Sequence, residues 1–158
     1  MVQSGNIYDK GGEKMKITFF GHSDFCSYNE YKERTLRLIE NLVHDTEVEF
    51  LLGMHGGFDG FAYSVCDEYR KEHKDARLTF VTPYILEKPP HPSLNFDEIF
   101  YPALERVPKR FAITHRNRWM AENADAVIVY VKHPWGGAYQ AYKHAERKQK
   151  RIFNLTQI

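Results

Sequence analysis

The sequence predicts an α/β fold: a doubly wound, mostly parallel sheet of about five to six strands with helices on both faces. Three observations lead there. Short apolar runs rich in β-branched and aromatic residues alternate with stretches whose apolar residues recur at three- and four-residue spacing. Two of those runs end in glycine-containing turns that lead into a helical pattern. The first turn is Gly53-Met54-His55-Gly56-Gly57-Phe58-Asp59-Gly60 and the second is Lys132-His133-Pro134-Trp135-Gly136-Gly137. Finally, Ala126–Val131 is apolar without alternation, as a central strand covered on both faces must be.

Taken in order, residues 1–14 carry Gly11-Gly12 and little hydrophobic pattern, so they are expected to form a flexible leader ahead of a single domain, 15–158. Lys16–Phe20 reads as a strand that ends at Gly21-His22-Ser23, where polar donors would stand at the sheet's carboxyl edge. Ser27 and Glu30 have the spacing of a capping box for a helix that buries Leu36, Ile39 and Val43. A strand over Glu47–Leu52 leads to the first glycine turn. A helix over about 59–73 follows, with Phe61, Ala62, Val65, Cys66 and Tyr69 on its inner face. Arg77–Thr82 is a strand stopped by Pro83. Pro89, Pro90 and Pro92 make 85–93 a loop, and Asp97–Tyr101 is a short fourth strand. Arg110–Asn123 reads as a helix, Ala126–Val131 as the central strand, and Arg151–Leu155 as the closing strand. Between the last two strands, Ala138, Ala141, Tyr142 and Ala145 line the inner face of a further helix. Right-handed crossovers bring every strand's carboxyl end to one edge. Residues 21–23, 53–60, 83–84 and 132–137 are therefore expected to gather around one crevice.

Composition narrows the partners. With 158 residues the chain is long enough for a real core, and its net charge of +1 counts against nucleic acid or a membrane surface as the partner. The two cysteines, Cys26 and Cys66, lack metal-ligand spacing. No apolar run approaches the roughly 20 residues that cross a bilayer. A cytoplasmic protein without metal or cofactor is expected, and the near-crevice histidines His22, His55, His115 and His133 show no converging ligand pattern.

The glycine turns supply the candidate site. Glycine admits positive φ and close approach of a ligand, and a helix starting there points free N–H groups at an anion. Asp59 would repel phosphate at the first turn. Phosphate is therefore expected at Gly136-Gly137, where Lys132 and Lys143 could assist. Asp59 itself can cap the helix, bind a ribose hydroxyl or act in catalysis, and Trp135 or Tyr139 can stack on a base. Arg116 and Arg118, two apart, cannot share one helical face.

His115-Arg116-Asn117-Arg118-Trp119-Met120, then Ala124-Asp125-Ala126-Val127-Ile128-Val129 and Gly136-Gly137, resemble the SLOG superfamily. That group includes the lysine-decarboxylase-like phosphoribohydrolases, the DNA-processing DprA domain and the YpsA-like proteins. Gly21-His22-Ser23 and Gly56-Gly57-Phe58-Asp59-Gly60 are most similar to the YpsA-like branch. The resemblance implies a Rossmann-like nucleotide-binding domain, commonly dimeric, with a self-association surface around the helix bearing Trp119. In the phosphoribohydrolase branch an arginine and a glutamate together break an N-glycosidic bond in nucleoside 5′-monophosphates. Arg116 stands at the arginine's place, whereas Lys143 replaces the glutamate and the branch's third glycine and threonine are missing. Glu146 lies one turn further along the same helix face, about 4.5 Å along the axis.

The expected function is a nucleotide or nucleotide-derivative binding protein that senses or sequesters its ligand. The expected ligand-binding residues are Gly21, His22, Ser23, Gly56, Gly57, Asp59, Gly60, Arg116, Trp135, Gly136, Gly137 and Tyr139. The alternative is a divergent phosphoribohydrolase or deoxyribosyltransferase-like enzyme, for which Asp59, Arg116 and Glu146 are the catalytic candidates. A partner-binding module using the proline-rich loop is the third possibility.

Overall fold

The computed structural model describes residues 14–158; the expected leader, apart from Lys14, lies outside the described residues. Six strands and four helices follow in the order β1 (Lys14–Gly21), α1 (Tyr28–Val43), β2 (Glu47–Leu52), α2 (Gly57–Glu72), β3 (Arg77–Val81), β4 (Glu98–Phe100), α3 (Ala112–Asn123), β5 (Ala126–Tyr130), α4 (Gly137–Arg147) and β6 (Arg151–Asn154). Short 3₁₀ turns at Lys109–Phe111 and Leu155–Gln157 flank α3 and end the chain. The sheet order is β4-β3-β2-β1-β5-β6 and every pairing is parallel. This is the doubly wound, Rossmann-like architecture expected from the sequence. The strand order reverses between β1 and β5, which leaves a crevice outside their carboxyl ends.

The pleat sorts the strand residues into two cores, because successive side chains point to opposite faces. Ile17, Phe19, Phe50, Leu52, Ala126, Ile128 and Tyr130 face α1 and α2, packing with Ile39, Val43, Phe61 and Val65. Phe20, Leu51, Val127 and Val129 face α3 and α4, where Met120, Ala121, Ala141 and Ala145 meet them. Thr18 sits on this second face as a buried hydroxyl, satisfied by donating to the Leu51 carbonyl at 2.9 Å.

Three helix expectations are corrected. Ser27 stands at the α1 N-cap, but its side chain makes no capping hydrogen bond. The fully buried stripe of α1 is Tyr31, Thr35, Ile39 and Val43, one residue every turn, while Leu36, Leu38 and Leu42 are only half-buried. Thr35 enters the core because its hydroxyl donates to the Tyr31 carbonyl at 2.7 Å, leaving its methyl to pack. Helix α3 begins at Ala112, with Arg110 left in the preceding 3₁₀ turn.

The first glycine turn is a packing joint between β1 and α2. A Cβ on Gly21 would overlap the Phe58 ring, and one on Gly57 would strike the carbonyls of Phe25 and Ser23. Gly56 has φ of 99°, and a Cβ there would lie 2.7 Å from that of Ser23. The Gly57 N–H donates to the Ser23 carbonyl at 2.7 Å, so the start of α2 is closed by protein. Gly60, by contrast, has open space around its missing side chain. Gly57→Ala is expected to cost about 1–3 kcal/mol by overpacking, whereas Gly60→Ala should be neutral or stabilise by up to about 1 kcal/mol. Urea denaturation of both variants checks this contrast.

Candidate functional site

A pocket of about 440 Å³ lies at the β1/β5 reversal. Its walls are the loop after β1 (Gly21–Asp24), His55 and Asp59 at the start of α2, one face of α3, and the segment His133–Ala138. Both glycine turns therefore come to one edge, as the topology requires. They contribute differently. Around Gly136, at φ of 94°, and Gly137 a Cβ would meet nothing within 4 Å, so this second turn opens onto the pocket. Helix α4 starts there without a side-chain cap and without an acid in its first turn. Its leading N–H groups point where an anion is favoured.

Arg116 forms the floor. Only 1% of its surface is exposed. Nη1 donates to the carbonyls of Gly53 at 2.9 Å and Val81 at 2.6 Å, and Nε donates to the Asn117 side-chain oxygen at 2.9 Å. Nη2 finds no acceptor among the described residues, and the residue lines the pocket. Among those residues, too, no carboxylate oxygen comes within 4.0 Å of the guanidinium. Burial lowers its pKa, with Asp59 opposing through space, but arginine stays charged. A charge this deep without a counter-ion in contact is costly, and an anion in the pocket would relieve it.

Asp59 faces Arg116 across Gly53. A Cβ on Gly53 would sit 3.1 Å from the Arg116 Cζ and 3.3 Å from the Asp59 Oδ2, so glycine there makes room for both groups. Met54 then takes a left-handed φ of 53°, and the His55 N–H reaches the Asp59 Oδ2 at 2.7 Å. Burial pushes the Asp59 carboxyl up to about 6, against that hydrogen bond and the arginine, which pull it down.

The mouth of the pocket is aromatic. His22 stacks on His133 with centroids 3.8 Å apart, and His133 stacks on Trp135 at 4.0 Å. The Lys132 N–H donates to His22 Nε2 at 2.9 Å, which fixes that nitrogen as acceptor and puts the neutral ring's proton on Nδ1. Burial, followed by the neighbouring His133, lowers the His22 pKa. His133 Nδ1 is buried and has no hydrogen-bond partner. Trp135 ends the column, 63% exposed.

Of the residues expected to bind ligand, the pocket brings together Gly21, His22, Ser23, Asp59, Arg116, Trp135, Gly136 and Gly137. Gly56, Gly57 and Gly60 do not line it. The first two are consumed by the joint with Ser23 and Phe25, and Gly60 stands on the exposed side of α2. Tyr139 packs toward the second core and Tyr142. Glu146 is exposed and pairs with Lys143 at 2.7 Å, away from the pocket. Lys132 lies over the Tyr130 ring, and Pro83-Tyr84 does not reach the crevice. Trp119 stacks on Phe100 at 4.7 Å. Asn117 and the structural role of Gly53 were missed, and His133 was placed near the crevice without a role. For Asn117 the one available signal was adjacency, since it follows Arg116.

No family model matches the chain, and no curated protein matches it. Solved structures do. DNA processing protein A from Helicobacter pylori superposes with a TM-score of 0.63 at 17% identity, covering 89% of this chain and 64% of that one. DNA processing protein A from Streptococcus pneumoniae gives 0.65 at 15% identity, over 92% of this chain and 51% of that one. The chain thus spans under two thirds of either neighbour, and the likeness establishes the shared fold. Both neighbours are of the DprA group that the sequence resemblance had named. The expectation that nucleic acid is an unlikely partner is overturned, because the Helicobacter pylori protein, built on this fold, binds single-stranded DNA. A net charge of +1 averages over the whole surface and says nothing about one crevice. Among the described residues, no helix is long and apolar enough to cross a membrane.

The raised carboxyl at Asp59 gives a pH test. A folded-state pKa above the unfolded value means the native protein holds the proton more tightly, so Asp59 costs stability as pH rises from about 4 to about 6 and the cost is complete above that window. Asp59→Asn keeps an oxygen for the His55 N–H. The variant is expected to be more stable than wild type at pH 7 by about 1–2 kcal/mol, with the difference shrinking toward pH 4. Denaturation curves at pH 4, 5, 6 and 7 measure it.

Proposed function

We propose that this chain is a SLOG-type domain of the YpsA-like branch that binds a nucleotide or nucleotide derivative, as a sensor or a carrier. The observation that supports this best is the Arg116 guanidinium, buried at the pocket floor and free of any carboxylate in contact, with Nη2 unpartnered. A phosphate between that group and the open N–H groups of α4 would neutralise the arginine and use the helix end. The base then lies against Trp135, the exposed end of the ring column. Because a protein of this fold binds single-stranded DNA, the ligand class includes nucleotides within a strand as well as free ones.

A second reading, favoured by the raised pKa of Asp59, is N-glycosidic cleavage with Asp59 directing water or stabilising developing positive charge. Neither residue at the family's glutamate place supplies a second carboxylate, since Lys143 and Glu146 are paired with each other outside the pocket, and the other acid at the pocket wall is Asp24.

Nucleoside 5′-monophosphates should raise the melting temperature, while the corresponding nucleosides should do so much less. Trp135→Ala should fold normally, because the side chain is exposed, yet weaken nucleotide binding about 5- to 150-fold, the range of one base–aromatic stack. A full nucleotide panel without any shift sinks the binder reading. Release of free base that disappears in Asp59→Asn replaces it with the enzymatic one.

A further inference from the structure

We propose that the cleft between α3 and α4 is a second anion subsite, so that the ligand carries a second phosphate beyond the one held at Arg116. The proposal rests on the nucleotide-binding reading of the main pocket and narrows its ligand class. A side pocket of about 120 Å³ adjoins the main one and shares Ile113, Asn117 and Gly137 with it. Besides Ala141, what it adds is polar and cationic: Thr114 and Arg118 from α3, and Gln140 and Arg147 from α4. No acid lines it. Among the described residues neither arginine has a carboxylate within 4.0 Å. The acids on these two helices are engaged elsewhere. Glu122 accepts from His144 at 2.7 Å and approaches Lys148 at 4.0 Å, while Glu146 pairs with Lys143.

The spacing of Arg116 and Arg118 explains the arrangement. Two residues apart on one helix, they diverge by roughly 200° about its axis. One enters the floor of the main pocket, and the other borders the side cleft. Asn117 stands between them, its side-chain oxygen held by Arg116 Nε, and lines both cavities. Arg118 and Arg147 both line the cleft and, among the described residues, neither holds a carboxylate, so a phosphate there would accept charge-assisted hydrogen bonds from them. The second phosphate could be contiguous with the first, as in a nucleoside diphosphate, or could follow it along a phosphodiester chain.

The test measures affinity by calorimetry for thymidine 5′-monophosphate, thymidine 5′-diphosphate and the 5′-phosphorylated thymidine dinucleotide, on wild type and on the doubly substituted Arg118→Gln, Arg147→Gln protein. Both arginines are exposed, so the variant should fold as wild type does. One two-phosphate ligand should bind wild type about tenfold or more tighter than the monophosphate, and the variant should lose that gain while holding the monophosphate within about twofold. Which of the two gains identifies the source of the phosphate. Monophosphate binding without a gain, or a gain that survives in the variant, overturns this inference alone. Failure of all three to bind overturns it together with the reading it rests on.

Discussion

One buried guanidinium ties this domain's architecture to its site. Arg116 reaches from α3 under the carboxyl edge of the sheet, where its Nη1 joins the last carbonyls of two neighbouring strand ends, Gly53 after β2 and Val81 of β3. Those carbonyls lie where a parallel sheet runs out of ladder partners, so a donor is needed to satisfy them. A lysine could not serve both carbonyls and also hold Asn117 in one plane, because it lacks the fixed fork of donors. The same side chain brings a positive charge to the floor of the pocket. Structure and site thus share one group, and the unsatisfied Nη2 is what remains for a ligand.

Glycine placement determines which turn can do what. At the first turn the absence of side chains lets α2 lie against the loop after β1, with Phe58 over Gly21 and Gly57 under the Ser23 carbonyl. That close approach spends the N-terminus of α2 on protein and leaves Asp59 at the pocket wall. At the second turn the glycines have no neighbours to accommodate, and the start of α4 stays open. The result is a polarised pocket. Asp59 stands on one side and an uncapped helix end on the other, Asp24 belongs to the wall after β1, arginine lies below and a three-ring aromatic column lines the mouth.

The sheet was legible because burial on both faces leaves a strong trace: Ala126–Val131 could be little else than a central strand, and Phe61, Ala62, Val65, Cys66 and Tyr69 have no second face to choose. The carboxyl edge as the place of the pocket followed from right-handed crossovers, whereas the reversal between β1 and β5 depends on a strand order that local patterns do not carry. Side-chain direction was not legible. The buried stripe of α1 contains Tyr31 and Thr35, which a hydropathy pattern ranks below the leucines beside them, because backbone hydrogen bonding of the Thr35 hydroxyl is invisible in sequence. Gly56 and Gly57 could not be distinguished from Gly136 and Gly137 by composition, since packing and ligand approach demand the same residue. Tyr139 was placed near the site by its nearness to Gly136-Gly137 and Glu146 by its offset of one turn from Lys143, and neither signal fixes what the side chain meets. His133 was legible only as one histidine among several near the crevice; its stacking between His22 and Trp135 depends on contacts across two loops.

The central claim is that a phosphate completes the Arg116 floor. A crystal structure of the protein grown with a nucleoside 5′-monophosphate tests it most directly. The account expects a phosphate oxygen within hydrogen-bonding distance of Arg116 Nη2, with the Gly137 N–H on its other side and the base against Trp135. A nucleotide bound elsewhere on the molecule, or a pocket in which Arg116 keeps the same three protein contacts with water alone at Nη2, would contradict it.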